Sequence, residues 1–249
     1  MGILNKVWKG FARTVEMQKQ KFSEAIAKQF SGLKVKEEDV KGVMLKSKLN
    51  FEKPTLWSDK DVAEFARALR IKTKPMIIAA NKMDRPNSKE NFSKILEEFD
   101  YPIVACFAEG ELALREADKH GLIEYTPGEN DFKIVGELNV KQKNALEEIR
   151  KMLKENNGTG VQEILNKVVF DILGMIAVFP AGVKMEDSKG NVLPDCYLMP
   201  EGSTALDFAF RLHSDIGKNF VKAISIRTKQ AVGKEYKLKH LDGLEILVR

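Results

Sequence analysis

Cysteine and histidine are scarce in this chain. Cys106 and Cys196 lie far apart, and His120, His213 and His240 show no ligand-like spacing. Such a set offers neither a disulfide framework nor a zinc pattern, so no metal site is expected and a reducing, cytoplasmic location fits. Long apolar runs are missing too. The longest, residues 168–183, is broken by Asp171, Gly174 and Pro180 and falls short of the ~20 residues that a bilayer span needs, so no membrane partner is expected. Also absent is any G-x-x-x-x-G-K-[ST], the glycine-rich nest and lysine that hold nucleotide phosphates beside a magnesium-binding hydroxyl. D-x-x-G spellings occur at Asp171 and Asp187, and in shifted form around Asp215. None follows a phosphate-loop unit, and they are not read as switch motifs.

What is present suffices for two compact domains: 249 residues, of which 43% are apolar and 31% charged. The net charge of +5 is uneven. Residues 1–50 hold 11 Lys/Arg against 5 Asp/Glu, or +6, which leaves −1 for the other residues. A basic first segment on a near-neutral body fits a nucleic-acid footprint, and it equally fits a solvated, lysine-rich helix face.

Apolar residues from Ile3 through Val7, Trp8, Phe11, Val15, Phe22, Ile26 and Phe30 to Leu33 recur at three- and four-residue steps, which predicts one long amphipathic helix. A second helix over residues 37–49 is expected to fold back on it as a hairpin or short coiled coil. Ser58 followed by Asp61 reads as an N-cap with its reciprocal acid, opening a helix to about Arg70. Beyond Lys74-Pro75, residues 76–80 and 103–106 are short apolar runs of the kind that buried parallel strands show, separated by a helix carrying Phe92, Ile95, Leu96 and Phe99. The order of helix and strand predicts an α/β domain with a parallel sheet. Helices are expected over 108–120, 140–155 and 161–173. After Gly174, strands over 175–178, 192–199, 223–225, 236–238 and 244–248 surround one helix over 204–213, with a turn at 188–191 and Asp242-Gly243 before the last strand. This texture predicts a β-grasp, ubiquitin-like fold.

The sharpest chemical signal is Asn81-Lys82-Met83-Asp84, an N-K-x-D set directly after the strand over 76–80. In an open α/β sheet, ligands sit beyond the carboxyl ends of the strands, where this loop must be. Guanine presents two adjacent donors, its ring N1–H and its amino group, and the one carboxylate of Asp84 can accept both. Adenine has no such pair and would leave the carboxylate unpaired. Asn81 can bond the base edge and tie neighbouring loops together, and the aliphatic stem of Lys82 can cover the flat base. Completing such a site is the work of the loop after the next strand, Cys106-Phe107-Ala108-Glu109, whose backbone N–H would meet the guanine oxygen. Phe107 stands there in place of the usual small hydroxyl residue. The alternative is that residues 81–84 are only a polar turn.

N-K-M-D at 81–84, A-E-G-E-L-A-L-R at 108–115 and M-P-E-G-S-T-A-L-D-F-A-F-R-L-H-S-D-I-G-K-N-F at 199–220 together resemble the C-terminal part of an archaeal-type YchF or Obg-like GTPase of the TRAFAC class, over nearly the whole chain. The resemblance implies part of a P-loop GTPase-type parallel sheet with an inserted helical hairpin (1–52), the C-terminal part of a G domain (53–174) and a TGS domain of β-grasp fold (175–249). It implies binding of GTP or GDP through Asn81, Lys82, Asp84, Phe107 and Ala108. Some relatives depart from N-K-x-D and prefer ATP, so keeping Asp84 implies guanine. The family hydrolyses GTP. Because the phosphate-binding and switch segments lie upstream of the inserted helices in such proteins, this chain is expected to have no catalytic residues of its own. It would be inactive alone and would need Mg2+ only once the missing half, of a split gene for instance, is supplied. TGS domains are associated with RNA, ribosomes or regulatory partners, and Lys218, Lys222, Arg227, Lys229, Lys234, Lys237 and Lys239 supply a basic surface for RNA or ribosome contact. The rival reading is a nucleotide-independent RNA- or ribosome-docking module built of the basic hairpin and the TGS domain.

Overall fold

The computed structural model describes residues 2–180 and 195–249. The turn expected at 188–191, the first part of the strand expected from 192 and the D-x-x-G at Asp187 lie outside the described residues. The chain divides into two compact units, Met1–Met76 and Ile77–Arg249.

The first unit is helical: α1 (Gly2–Met17), α2 (Phe22–Gln29), α3 (Glu37–Lys46) and α4 (Asp59–Thr73). The single helix expected from Ile3 to Leu33 is broken. Lys19 adopts a left-handed φ of 49°, and the N–H groups of Lys19 and Gln20 close back onto the carbonyls of Glu16 and Val15, a helix-terminating arrangement. Between buried Val15 and buried Phe22 runs a polar stretch around exposed Met17, so no packing holds the helix straight there. Turning back brings the Phe22 ring to 6.3 Å from Trp8. Nor does the unit end with a hairpin at residue 52. Val62, Phe65 and Leu69 of α4 share one core with Trp8, Val15, Phe22, Ile26 and Val40. Trp8 stacks on Trp57 with ring centroids 5.0 Å apart, and Phe65 packs edge-on to Trp57 at 5.3 Å. The aromatic residues after position 52 complete a core that a two-helix hairpin would leave open. α4 starts on the expected cap: Ser58 accepts the Asp61 N–H, and the Asp61 carboxylate accepts the Ser58 N–H at 2.9 Å.

The second unit opens with two parallel strands, β1 (Ile78–Ala80) and β2 (Ile103–Ala105), in the register Ile78 to Ile103 and Ala80 to Ala105, joined through α5 (Ser88–Glu98). α6 (Ala108–Lys119) leads to a small hairpin, β3 (Ile123–Glu124) with β4 (Lys133–Ile134), then to α7 (Val140–Asn156) and α8 (Val161–Asn166). Leu114, Ile123, Tyr125, Phe132, Leu146 and Leu153 form the core of this part. The hairpin was not expected, because two-residue strands leave too short an alternation to read. The helix expected to reach Leu173 changes to a π-helical turn over Lys167–Ile172.

The remainder is a mixed five-stranded sheet in the order β6-β5-β9-β7-β8, made of β5 (Met175–Pro180), β6 (Tyr197–Pro200), β7 (Phe220–Ser225), β8 (Ala231–Val232) and β9 (Asp242–Val248). β5 and β9 run parallel. Helices α9 (Ala205–Leu212) and α10 (Ser214–Lys218) accompany it, and fully buried Phe208 of α9 packs with Ile176, Val178, Ala223 and Leu244. This is the β-grasp arrangement that the sequence predicts. No strand forms over 236–238, however. Lys237 makes only an isolated antiparallel bridge with Thr204, in which the Tyr236 carbonyl accepts the Ala205 N–H and the Leu238 N–H donates to the Ser203 carbonyl, and the pairing stops where α9 begins.

Candidate functional site at the ends of the parallel strands

The parallel pairing of β1 and β2 puts the two loops that follow them side by side. Cys106 N–H continues the ladder onto the Ala80 carbonyl at 2.9 Å, and Met83 N–H reaches across to the Cys106 carbonyl at 3.2 Å. Both loops leave the carboxyl ends of their strands, where open α/β sheets receive ligands.

Asn81 is the junction. Its Oδ1 accepts the N–H of Lys82 at 2.8 Å and the N–H of Ala108 at 3.2 Å, and the Cys106 thiol lies 3.7 Å from the same oxygen. Burial pushes the Cys106 thiol pKa up, so the group stays a neutral donor there. Lys82 takes a left-handed φ of 68°, a region that lysine seldom occupies, and its side chain is exposed. The Asp84 side chain is only 18% exposed and pairs with Arg85 Nε at 3.2 Å. Ser88 Oγ donates to the Met83 carbonyl at 3.0 Å, closing the loop onto α5.

The structure therefore brings Asn81, Ala108 and Cys106 into direct contact, and places Lys82 and Asp84 on the same short loop. The two backbone N–H groups expected to face the base are not equivalent. That of Phe107 donates to the buried Thr159's carbonyl at 2.8 Å, while that of Ala108, at the start of α6, donates to the exposed Asn81's Oδ1 at 3.2 Å. The half-buried Phe107 ring lies over Gly110, where a methyl group would sit 2.1 Å from a ring carbon.

Sequence reasoning missed the residues behind this loop. Thr159 and Glu111 are 2% and 4% exposed. The Glu111 carboxylate accepts from Thr159 Oγ1 at 2.6 Å, Tyr125 Oη at 2.9 Å and Arg115 Nε at 2.7 Å. Burial alone would raise the Glu111 pKa, but the hydrogen bonds from Thr159, Arg115 and Tyr125 outweigh it and hold the carboxyl below its ordinary value. Burial and the bond to Glu111 push the Tyr125 hydroxyl pKa up. An acid at the buried position of an otherwise amphipathic helix was the available signal.

The expected basic residues of the last domain are all exposed. Lys218 closes α10 and Lys222 lies on β7. Lys229 turns the chain between β7 and β8 with a φ of 58°. Arg227 is tied to the Leu241 carbonyl at 3.3 Å and Lys237 to the Gly202 carbonyl at 2.7 Å. Among the described residues no group of three or more His, Cys, Asp or Glu side chains is arranged to hold a metal ion, and no helix is long and apolar enough to cross a membrane.

Residues 79–182 match the G4 motif-containing domain of YGR210-like Obg-like GTPases, and residues 175–248 match the TGS domain. The uncharacterized GTP-binding protein MJ1332 of Methanocaldococcus jannaschii is 41% identical over 98% of this chain and 62% of its own length. The uncharacterized GTP-binding protein C428.15 of Schizosaccharomyces pombe is 33% identical over 53% of this chain and 35% of its own. The crystal structure of a GTP binding protein from Pyrococcus horikoshii OT3 matches the whole chain with 40% identity and a TM-score of 0.72, and the match covers 67% of that protein. The chain thus spans less than two thirds of the length of the two sequence relatives.

Proposed function

Because the chain belongs to the Obg-like GTPases, joining a G4 motif-containing domain to a TGS domain, we propose that it carries the base-reading half of a GTP-binding site. Asp84 accepts the N1–H and amino donors of guanine, and Lys82 covers the base with its stem. Both N–H groups of this loop have acceptors in the structure, Phe107 the buried Thr159's carbonyl and Ala108 the exposed Asn81's Oδ1, and the Ala108 N–H is the one that passes to the guanine oxygen when the base enters. Asn81 holds that N–H beside its own loop until then, and its amide nitrogen is the group proposed to bond the base edge. The observation that carries the reading is the bond from Ala108 N to Asn81 Oδ1, which couples the N-K-x-D loop to the start of α6.

No phosphate-binding G-x-x-x-x-G-K-[ST] occurs in these 249 residues. The nucleotide phosphates and Mg2+ must then be held by residues outside them, and these residues alone do not hydrolyse GTP. The working location is the cytoplasm, in keeping with two free cysteines. Calorimetric titration of the chain with GDP, GTP and ATP, repeated on Asp84→Ala, tests the reading. Guanine-selective binding that disappears in the variant is expected. Equal affinity for ATP and GTP, or selectivity indifferent to Asp84, overturns it.

A second reading is favoured by the exposed Lys218, Lys222 and Lys229 of the TGS domain: this domain docks on RNA or the ribosome through phosphate contacts. Such binding weakens steeply with salt. Association with ribosomal subunits that is lost on replacing these three lysines with glutamate and is indifferent to Asp84 would support it, and salt-insensitive association would refute it.

A further inference from the structure

We infer that Thr159, oriented by buried Glu111, is a positioning residue for the loop that meets the guanine 6-oxo group. The inference rests on the guanine reading above and assigns a residue that the N-K-x-D motif does not contain.

The loop over residues 106–108 is held from two sides through consecutive N–H groups: Phe107 donates to the Thr159 carbonyl at 2.8 Å, and Ala108 donates to Asn81 Oδ1 at 3.2 Å. One clamp lies in the recognition loop itself. The other comes from the turn after α7, and that turn is over-determined. Gly160 has a φ of 77°, and a methyl group there would stand 2.0 Å from the Ala105 carbonyl oxygen, so only glycine lets the turn press against the end of β2. On the opposite side Thr159 Oγ1 donates to Glu111 Oε2, which also receives Tyr125 Oη, while Glu111 Oε1 receives Arg115 Nε. A carboxylate at 4% exposure is costly unless fully bonded, and a leucine would fill that place in α6 without such demands. What the carboxylate supplies beyond packing is direction. It fixes the Thr159 rotamer, and through the Thr159 backbone it fixes the peptide plane preceding the Ala108 N–H. A recognition hydrogen bond weakens steeply when its donor is misdirected, and holding the 106–107 peptide limits how the next one, which carries the Ala108 N–H, turns from Asn81 Oδ1 to the 6-oxo group.

The test compares GDP with inosine diphosphate, which keeps the 6-oxo group and N1–H but lacks the 2-amino group. Titrations of the full chain are made on the wild type, Thr159→Val, Thr159→Ser and Asp84→Ala. Thr159→Val is expected to weaken both nucleotides by the same factor, about tenfold, leaving their ratio unchanged. Thr159→Ser keeps the hydroxyl and is expected to bind like the wild type. Asp84→Ala should instead erase the preference for GDP over inosine diphosphate. If Thr159→Val binds GDP as tightly as the wild type while Asp84→Ala loses its preference, the positioning role is wrong and the guanine reading stands. If the wild type does not prefer GDP to ATP, the guanine reading itself falls, and the role proposed for Thr159 with it. Amide hydrogen exchange on the nucleotide-free protein gives an independent readout. The Phe107 amide should exchange faster in Thr159→Val and return to wild-type protection in Thr159→Ser, and equal protection in all three overturns the inference.

Discussion

Oδ1 of Asn81 accepts the backbone N–H of Ala108 at 3.2 Å, so a single amide oxygen joins the loop after β1 to the first residue of α6. The same atom accepts the Lys82 N–H, which fixes the left-handed turn that follows. Asn81→Ala removes the one acceptor of both bonds at an exposed position, where water can replace it, so little loss of stability is expected. Recognition should suffer more, because the Ala108 N–H is released from its direction. A loss of about tenfold in GDP affinity, equivalent to roughly 1.4 kcal/mol, is expected by calorimetry. Unchanged affinity would mean that the bridge has no part in binding.

Buried Glu111 gives a prediction in pH. Its folded-state pKa is depressed because Thr159, Arg115 and Tyr125 bond the charged form strongly enough to overcome burial. A depressed carboxylate contributes stability that is present above its unfolded pKa and is lost as pH falls through the folded value. Glu111→Gln should therefore lower stability at neutral pH, by about 1–3 kcal/mol for disrupted buried bonds. The gap from the wild type should close on acidification below the carboxylate range. Urea unfolding at neutral and acid pH measures this, and a gap that stays constant contradicts it.

In the helical unit, Phe65 is 3% exposed and its ring meets those of Phe22, Trp57 and Trp8 at 5.4, 5.3 and 6.4 Å. Phe65→Ala is expected to cost about 3–5 kcal/mol. Because Trp8 and Trp57 are the chain's two tryptophans and stack together, their fluorescence reports the unfolding of this unit directly. A shift in midpoint worth less than about 1 kcal/mol would show that the core closes without this ring.

The parallel strands, the Ser58 cap, the β-grasp helix and the position of the N-K-x-D loop were legible because each rests on local pattern: apolar runs, a cap with its acid three residues on, and a polar tetrad after a strand. The break at Lys19 was not. Val15 and Phe22 keep helical spacing across it, and the turn follows from the polar stretch between them together with the meeting of Trp8 and Phe22. The site divides the same way. Asn81 and Asp84 stand out by spelling, whereas Thr159 acts across 48 residues on Glu111 and carries no mark in the sequence.

Phe107 stands where a small hydroxyl residue was expected, and the structure links that departure to Gly110. Glycine inside the first turn of α6 is unfavourable by about 1 kcal/mol relative to alanine, yet a methyl group at 110 would lie 2.1–2.9 Å from three atoms of the Phe107 ring. The two residues are therefore expected to depend on each other. Gly110→Ala alone must displace the ring and should gain none of the helix-propensity benefit. With Phe107→Ser in the background, the same substitution should stabilise the protein by about 1 kcal/mol. A double-mutant cycle read by chemical denaturation separates the two cases. A coupling near zero would mean that the ring swings aside freely and that Phe107 can be changed without regard to Gly110. A coupling of about 1 kcal/mol would establish that the bulky residue in the loop after β2 and the glycine beneath it form one packing unit.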